Sequence, residues 1–186
     1  MSCVVAISEN GVVWMGSDSL FVSVGDFAKK RTEANSKIFR KDGLLIGWVG
    51  SRRFGDILQW NFNFPKFEDG RDFHEYLASD FVSSLLDTLQ NLKHVEFKDG
   101  EALSYTFIIG RKGKIFQIHS DFSVSVLGDG YDACGSGDQL AMAALEGMKG
   151  LSLTPEEKIL RALEIASKFT ADVGPPFHVF CEDENG

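Results

Sequence analysis

The sequence SCVVAISENGVVWMGSDS at residues 2–19 contains two β-rich runs that are joined by one tight connection. Residues 3–8 and 12–17 are mostly valine, isoleucine and small side chains, a composition typical of strands. Between the runs, Asn10 and Gly11 readily adopt the positive φ angles of a two-residue hairpin turn. The stretch therefore predicts a pair of antiparallel strands that begins almost at the first residue.

The same pattern recurs further along the chain. KIFR at residues 37–40 and LLIGWVG at residues 44–50 flank an Asp42-Gly43 pair, which predicts a second hairpin. Three more segments have the composition of strands, at residues 103–109, 114–120 and 123–127, and a last strand is predicted at residues 177–181. The short connections favour antiparallel pairing.

Helical periodicity appears in two regions. Between residues 50 and 92, apolar residues at a spacing of four form one face of a predicted helix: Phe73, Leu77, Phe81, Leu85 and Leu89. Asp72 is its predicted N-cap. Further helices are predicted at residues 140–148 and 154–169, and the latter begins with a capping box, Thr154 with Glu157, and with Pro155 at its first position.

The order of elements is strands, helices, strands, helices and a strand, with hairpins where a doubly wound fold would have parallel crossovers. Two antiparallel sheets of this kind need helices on their outer faces. The sequence therefore predicts an α+β fold, a four-layer αββα sandwich with two antiparallel sheets between helical layers. We expect one domain over residues 1–186, with a disordered tail only at residues 182–186.

Composition excludes several classes of protein. The formal net charge of −8 argues against nucleic acid as a partner, because phosphate binding uses clustered Lys and Arg. Cys3, Cys134 and Cys181 are far apart and form no CxxC pair, so we expect a reduced cytoplasmic protein without a metal or cofactor. Residues 1–10 lack the basic start and the apolar run that are typical of a signal peptide, and no apolar run has the length of a membrane span, so we expect no membrane partner.

Ser2 is the first candidate for chemistry. Its small side chain is compatible with removal of Met1, which would leave a hydroxyl and a free amine on one residue. An N-terminal amine titrates near neutral pH and so serves as a general base for the hydroxyl. Such a residue also needs a cation, a carboxylate that orients the amine, and a donor for the oxyanion.

The sequence offers a candidate for each of these roles. Asp18 ends the second predicted strand, which returns to the N-terminus, and Lys37 begins the third; the simpler alternatives are a turn residue and a solvated strand end. Gly50 follows a strand and lets a backbone N–H approach a carbonyl, or it is an ordinary turn. Ser136 lies between two glycines, with an exposed hydroxyl or as a helix N-cap.

Taken together, these segments resemble proteasome β-subunits and the bacterial HslV peptidase. The segment at residues 2–19 is similar to their opening, NSKIF at residues 35–39 to their catalytic-lysine segment, GWVGS at residues 47–51 to their oxyanion segment, and ACGSG at residues 133–137 to their serine-glycine motif. The resemblance covers essentially the whole chain and is nearest to the bacterial and phage branch of this N-terminal-nucleophile hydrolase family.

The resemblance implies an amide-bond hydrolase of the threonine-protease type in which serine replaces the usual threonine. Ser2 would be the nucleophile and base, Asp18 and Lys37 its electrostatic partners, Gly50 the oxyanion donor, and Ser136 the residue that orients the amine. It also implies a homo-oligomeric ring, a peptide or unfolded protein as substrate, and an ATP-dependent unfoldase as a possible partner.

Three alternatives remain open at the level of sequence. Thr170 stands where the family has an aspartate, with Asp172 two residues away, which is compatible with a catalytically silent ring-forming subunit. An amidase for small molecules on the same fold is a second alternative. In a third, removal of two residues would make Cys3 the nucleophile.

Overall fold

The computed structural model describes residues 2–21, 29–30, 36–98 and 101–182. In chain order the strands are β1 Cys3–Glu9, β2 Val12–Asp18, β3 Leu20–Phe21, β4 Lys29–Lys30, β5 Ile38–Lys41, β6 Leu44–Trp48, β7 Glu96–Lys98, β8 Glu101–Leu103, β9 Phe107–Arg111, β10 Lys114–Ile118, β11 Val124–Val126, β12 Tyr131–Gly135 and β13 Phe177–Cys181. The helices are α1 Arg52–Asp56, α2 Phe73–Tyr76, α3 Val82–Asn91, α4 Asp138–Gly147 and α5 Pro155–Phe169. No helix within these residues is long and apolar enough to cross a membrane.

Two antiparallel sheets form the centre of the molecule. The first has the strand order β12-β1-β2-β13 and the second has the order β11-β10-β9-β6-β5. Helices α4 and α5 cover the outer face of the first sheet, while α1, α2 and α3 cover the second. The predicted αββα sandwich is therefore confirmed.

The hairpin turns have the backbone that the sequence indicated. Asn10 and Gly11 have φ angles of 55° and 79°, and Asp42 and Gly43 have 50° and 73°. Positive φ at both central residues matches the right-handed twist of the paired strands. The segment predicted as one strand at residues 103–109 is instead divided between β8 and β9, and β12, which precedes Ser136, was not delimited from the sequence.

The helix with the spacing-four stripe contains a π-helical turn, Leu77–Phe81, between α2 and α3. Asp72 caps its start, since the Asp72 side chain accepts a hydrogen bond from the Glu75 N–H at 2.9 Å. A stripe at strict spacing four drifts by about 40° at each step around a helix of 3.6 residues per turn. The wider π turn takes up part of this drift, and Leu77, Phe81, Leu85 and Leu89 all remain fully buried.

Three apolar layers hold the sandwich together. Side chains from β1 contact α4 and α5 on one face and the second sheet on the other. Helix α5 begins with the predicted capping box of Thr154 and Glu157. Between the sheets the approach is close at Gly47, where a Cβ atom would lie 2.6 Å from Val4 Cγ1. Glycine is therefore required in this strand for the sheets to meet.

Glu182 is ordered, so the prediction of a disordered tail was wrong for this residue; residues 183–186 lie outside the described part. The Glu182 carboxylate accepts hydrogen bonds from the backbone N–H groups of Val13, Lys112 and Gly113. Its own N–H donates to the Val13 carbonyl at 2.8 Å. Because Val13 belongs to β2 and the other two form the β9–β10 turn, Glu182 joins the two sheets.

Replacing Glu182 with alanine should lower the free energy of unfolding by about 1–3 kcal/mol, because three backbone donors lose their acceptor. Urea unfolding followed by circular dichroism measures the change. Glu68→Ala, a substitution at an exposed loop residue, is the control and should leave the stability unchanged. Equal stabilities of the two variants would contradict the role of Glu182.

Asp132 is a buried carboxyl group on β12, only 6% exposed. Within the described residues its Oδ2 atom has no hydrogen-bond partner. Burial raises the pKa of Asp132 from 3.8 to about 6, with the charge of Asp138 adding to the effect and His119 opposing it. The folded chain thus holds this proton at pH values where the unfolded chain has lost it, so the contribution of Asp132 to stability falls as pH rises from about 4 to about 6.

Asp132→Asn should therefore stabilise the protein at pH 8, by about 1–2 kcal/mol, and have little effect near pH 4. Urea unfolding at the two pH values measures this difference. The same change in stability at both pH values would show that ionisation of Asp132 does not limit stability.

Candidate active site

A buried ion pair lies at the end of the sandwich where the chain begins. Lys37 Nζ is 2.5 Å from Asp18 Oδ1, and the two side chains are 1% and 0% exposed. The ammonium also donates to the Leu20 carbonyl at 2.9 Å. Asp18 is neither a turn residue nor a solvated one, and Lys37 is not a solvated strand end, so the simpler alternatives for both residues are wrong.

The Asp18 carboxylate accepts hydrogen bonds from backbone N–H groups in three parts of the chain. Oδ1 accepts from the Cys3 N–H at 2.9 Å, while Oδ2 accepts from the N–H groups of Leu20 at 3.0 Å and Gly174 at 3.4 Å. A buried carboxylate is tolerated when it is both paired and hydrogen-bonded. These bonds fix the Lys37 ammonium next to the backbone that immediately follows Ser2.

Ser2 is buried, and its backbone contacts the turn between β12 and α4. The Ser2 N–H donates to Ser136 Oγ at 3.3 Å, and the same hydroxyl lies 3.3 Å from the Ser2 carbonyl oxygen. The Gly137 N–H also donates to this carbonyl, at 3.4 Å. Helix α4 has Gly137 as its N-cap residue, so Ser136 contacts Ser2 and is not the helix cap.

The residue before Ser136 is glycine because a side chain at this position would collide with Ser2. Gly135 has a φ angle of 103°, and a Cβ atom there would lie 2.2 Å from the Ser2 carbonyl oxygen. A side chain at this position would displace Ser2 from Ser136. The glycine-bracketed serine in the sequence thus marks a close approach of two backbones.

Gly50 lies at the junction between β6 and α1, with a φ angle of 100°. The preceding residue, Val49, lies beside Gly135 and hence near Ser2, with Cγ1 3.1 Å from the position of a Cβ atom at Gly135. Within the described part of the chain, the Gly50 N–H donates to no other residue. Gly50 is therefore a free donor at the same end of the sandwich as the ion pair.

The segment after α5 reaches the site through Gly174, a contact that the sequence did not indicate. Besides donating to Asp18, Gly174 accepts a hydrogen bond from the Ser19 N–H at 3.2 Å. Thr170, at the position of the family's aspartate, is the C-cap residue of α5. The only sequence signal for the contact is the Gly-Pro-Pro stop that turns the chain back towards the site.

Cys3 does not share the environment of Ser2. Its side chain is fully buried among residues of α4 and α5. Burial, with the nearby charges of Asp18 and Asp138, raises the pKa of the Cys3 thiol to about 12. A protonated, buried thiol is a poor nucleophile, which disfavours Cys3 as the reactive residue.

Among the described residues, no cluster of three metal-binding side chains is present.

Asp18→Asn should destabilise the fold by about 3–5 kcal/mol, because it leaves the Lys37 ammonium buried without a counter-charge. Adding Lys37→Met should recover part of this loss. A double-mutant cycle measured by urea unfolding reports the coupling between the two residues. Asp80→Asn, which breaks an exposed ion pair with Arg71, is the control and should have a small effect. Additive single substitutions would contradict a buried ion pair.

No protein-family model matches the chain, and no curated protein matches it. Several solved structures share its fold. Thiobacillus denitrificans BPH, a bacterial proteasome homologue, superposes with a TM-score of 0.83 at 20% identity over 96% of each chain. The structure of BPH in complex with epoxomicin superposes with a TM-score of 0.78 at 19% identity, over 96% of this chain and 97% of that chain. HslV from Trypanosoma brucei superposes with a TM-score of 0.66 at 19% identity, over 96% of this chain and 98% of that chain. The chain therefore has the fold of the proteasome-like N-terminal-nucleophile hydrolases.

Proposed function

We propose that the protein is a peptidase in which Ser2, once Met1 has been removed, is both nucleophile and general base. The observation that carries this proposal is the Asp18 carboxylate, which holds the Lys37 ammonium and the Cys3 N–H on one oxygen atom. Because Lys37 is buried beside the first residues of the chain, its charge does not serve solubility. Its position suits the stabilisation of negative charge on the adjacent serine oxygen.

The first step is attack by Ser2 Oγ on the carbonyl carbon of a peptide bond. The hydroxyl proton passes to the α-amino group of the same residue as the oxygen–carbon bond forms. The peptide carbon–nitrogen bond then breaks, and the departing amine takes the proton from the α-ammonium. The product is an ester between Ser2 and the acyl part of the substrate.

Hydrolysis of this ester uses the same groups. The α-amino group accepts a proton from a water molecule as the water oxygen attacks the ester carbonyl. The bond between Ser2 Oγ and the carbonyl carbon breaks, and the proton returns to Oγ. Ser136 Oγ, 3.3 Å from Ser2 N, would orient the amine towards the hydroxyl in both steps.

The negative charge that develops in each step needs two separate stabilising groups. The Lys37 ammonium stabilises the serine oxygen while it is partly deprotonated, and Asp18 keeps the ammonium in place. The Gly50 N–H would donate to the carbonyl oxygen of the substrate as it becomes an oxyanion. The position of Gly50 directly after Val49, which lies beside Gly135, supports this assignment.

Assembly into a homo-oligomeric ring is part of the proposal. Trp60 and Phe169 are 73% and 75% exposed, an unusual position for large aromatic side chains in a monomer and a common one at subunit interfaces. A ring would enclose the Ser2 sites, so that unfolded polypeptide is the accessible protein substrate. An ATP-dependent unfoldase is then the partner that would supply it.

The test begins with the intact mass of the purified native protein, which should show loss of Met1. Hydrolysis of fluorogenic peptides should fall by about 10³-fold or more in Ser2→Ala, while Ser83→Ala, at an exposed helix position, should leave it unchanged. Epoxomicin, which a structural neighbour binds, should form an adduct on the N-terminal tryptic peptide of the wild type but not of Ser2→Ala. Ser2→Thr should retain activity, because it keeps the hydroxyl and the amine.

Three outcomes would contradict the proposal. Retention of Met1 together with absence of hydrolysis would favour a silent ring-forming subunit, and light scattering would then report whether the ring forms. Loss of Met1 with hydrolysis of small amides but of no peptide would favour an amidase. Equal activity in the wild type and in Ser2→Ala would remove Ser2 from the mechanism.

A further inference from the structure

A second polar feature lies at the opposite end of the sandwich from Ser2. β6 runs from Leu44 to Trp48 before it reaches Gly50, and it pairs with β9 so that Trp48 faces Phe107 and Leu45 faces Gly110. Arg111, the last residue of β9, is therefore at the far end of these strands from Gly50. Whatever binds at Arg111 does so outside the Ser2 site.

The Arg111 guanidinium is held between two aromatic rings. Its Cζ atom lies 4.5 Å from the centre of the Phe67 ring and 4.3 Å from that of Phe73. The two rings are themselves packed edge to face at 5.2 Å. Both rings attract the guanidinium through cation–π contacts, and such contacts do not use its N–H donors.

Within the described residues, Arg111 forms no ion pair and no hydrogen bond with any side chain or carbonyl group. The side chain is half-buried, and a half-buried cation normally has an acceptor for its N–H groups. Arg71 is also partly exposed, and it differs from Arg111 in that it pairs with Asp80 and Glu75.

A cavity of about 330 Å³ opens on one side of Arg111. Its lining combines three cations, Arg111, Lys112 and Lys114, with the apolar residues Phe73, Phe116 and Val126. A second cavity of about 330 Å³ also borders Arg111, and its lining includes Phe64, Phe67 and Tyr76. These volumes are at the lower end of those of small-molecule sites.

The charge of the first cavity is positive in a chain that is negative overall. Arg111, Lys112 and Lys114 contribute three positive charges, and Asp72 is the one carboxylate among the lining residues. Asp72 is engaged in capping α2 through the Glu75 N–H. His74 Nε2 donates to the Val124 carbonyl at 3.1 Å, so this nitrogen is not available to a ligand.

Packing alone does not account for this arrangement. The aromatic rings explain why an arginine is tolerated at position 111, but they leave its donors unused. Lys112 and Lys114 are exposed, and neither ammonium group forms an ion pair with a described residue. The contact of Lys112 with Glu182 uses its backbone N–H and not its side chain. Three cations beside an apolar wall are the features of a site for an anion with an apolar body.

We propose that this cavity binds a small amphiphilic anion, a carboxylate or phosphate carried on an aromatic or aliphatic group. The anionic group would accept hydrogen bonds from Arg111, with Lys112 and Lys114 contributing charge. The apolar body would lie against Phe73 and Phe116. The site is independent of Ser2 and of any peptidase activity.

Isothermal titration calorimetry of the full chain with phenyl phosphate and with 3-phenylpropanoate tests the proposal. At least one probe should bind with a Kd below about 1 mM. Inorganic phosphate and the neutral 3-phenylpropanol should bind at least about tenfold more weakly, because the first lacks the apolar body and the second lacks the anionic group. The tighter of the two probes identifies the anionic group.

Variants locate the binding. Arg111→Gln should abolish it, and the double variant Lys112→Gln with Lys114→Gln, which changes only exposed side chains, should weaken it about fivefold or more. Lys168→Gln removes an exposed charge elsewhere and should change nothing. Binding that survives both the Arg111 and the double lysine variants, equal affinity for 3-phenylpropanol, or no saturable binding by either probe would each overturn the proposal. The double variant keeps the test valid if Arg111→Gln fails to fold.

Discussion

The contact between Asp18 and Lys37 determines how one end of the molecule is built. Two opposite charges that are almost completely excluded from solvent are stable only when their remaining donors and acceptors are used. Asp18 meets this requirement by accepting N–H groups from Cys3, Leu20 and Gly174. The start of the chain, the end of β2 and the segment after α5 therefore converge on one carboxylate, and the position of Ser2 follows from this convergence.

The sheets make that convergence possible because both are antiparallel. The β1–β2 hairpin returns Asp18 to the level of Cys3, and the pairing of β12 with β1 places Gly135 opposite Cys3. The glycine-bracketed Ser136 thus arrives beside Ser2 through register alone. Glycine at positions 47 and 135 removes the side chains that would keep these layers apart. The site is a product of strand register and of close backbone approach.

Much of the fold was accessible from the sequence because its signals are local. Asn10-Gly11 and Asp42-Gly43 specify hairpins, and the capping box of α5 and the N-cap at Asp72 mark helix starts. The grouping of Ser2, Asp18, Lys37 and Ser136 was predicted because hairpins bring strand ends together and because the segments resemble a known family. Their roles in catalysis remain predictions.

Other features were not accessible because they depend on distant parts of the chain. The contact of Gly174 with Asp18 spans 156 residues, and Gly174 contributes only its backbone N–H, which carries no sequence signature. Glu182 was taken for part of a disordered tail because its composition is that of a tail, yet its carboxylate joins β2 to the β9–β10 turn. In the same way, Arg111 between Phe67 and Phe73 combines three segments that no short motif connects.

The two ends of the sandwich use charge in opposite ways. At the Ser2 end, the cation is buried and paired, so its charge acts only on what lies directly beside it. At the Arg111 end, the cations are partly exposed and lack a carboxylate partner among the described residues, so their charge is directed at a ligand from solution. In the peptidase that we propose, a complete ion pair suits a neutral amide substrate, whereas cations without a carboxylate partner suit the anion that we propose at Arg111. The difference in pairing, more than the difference in position, argues that the two sites bind chemically different molecules.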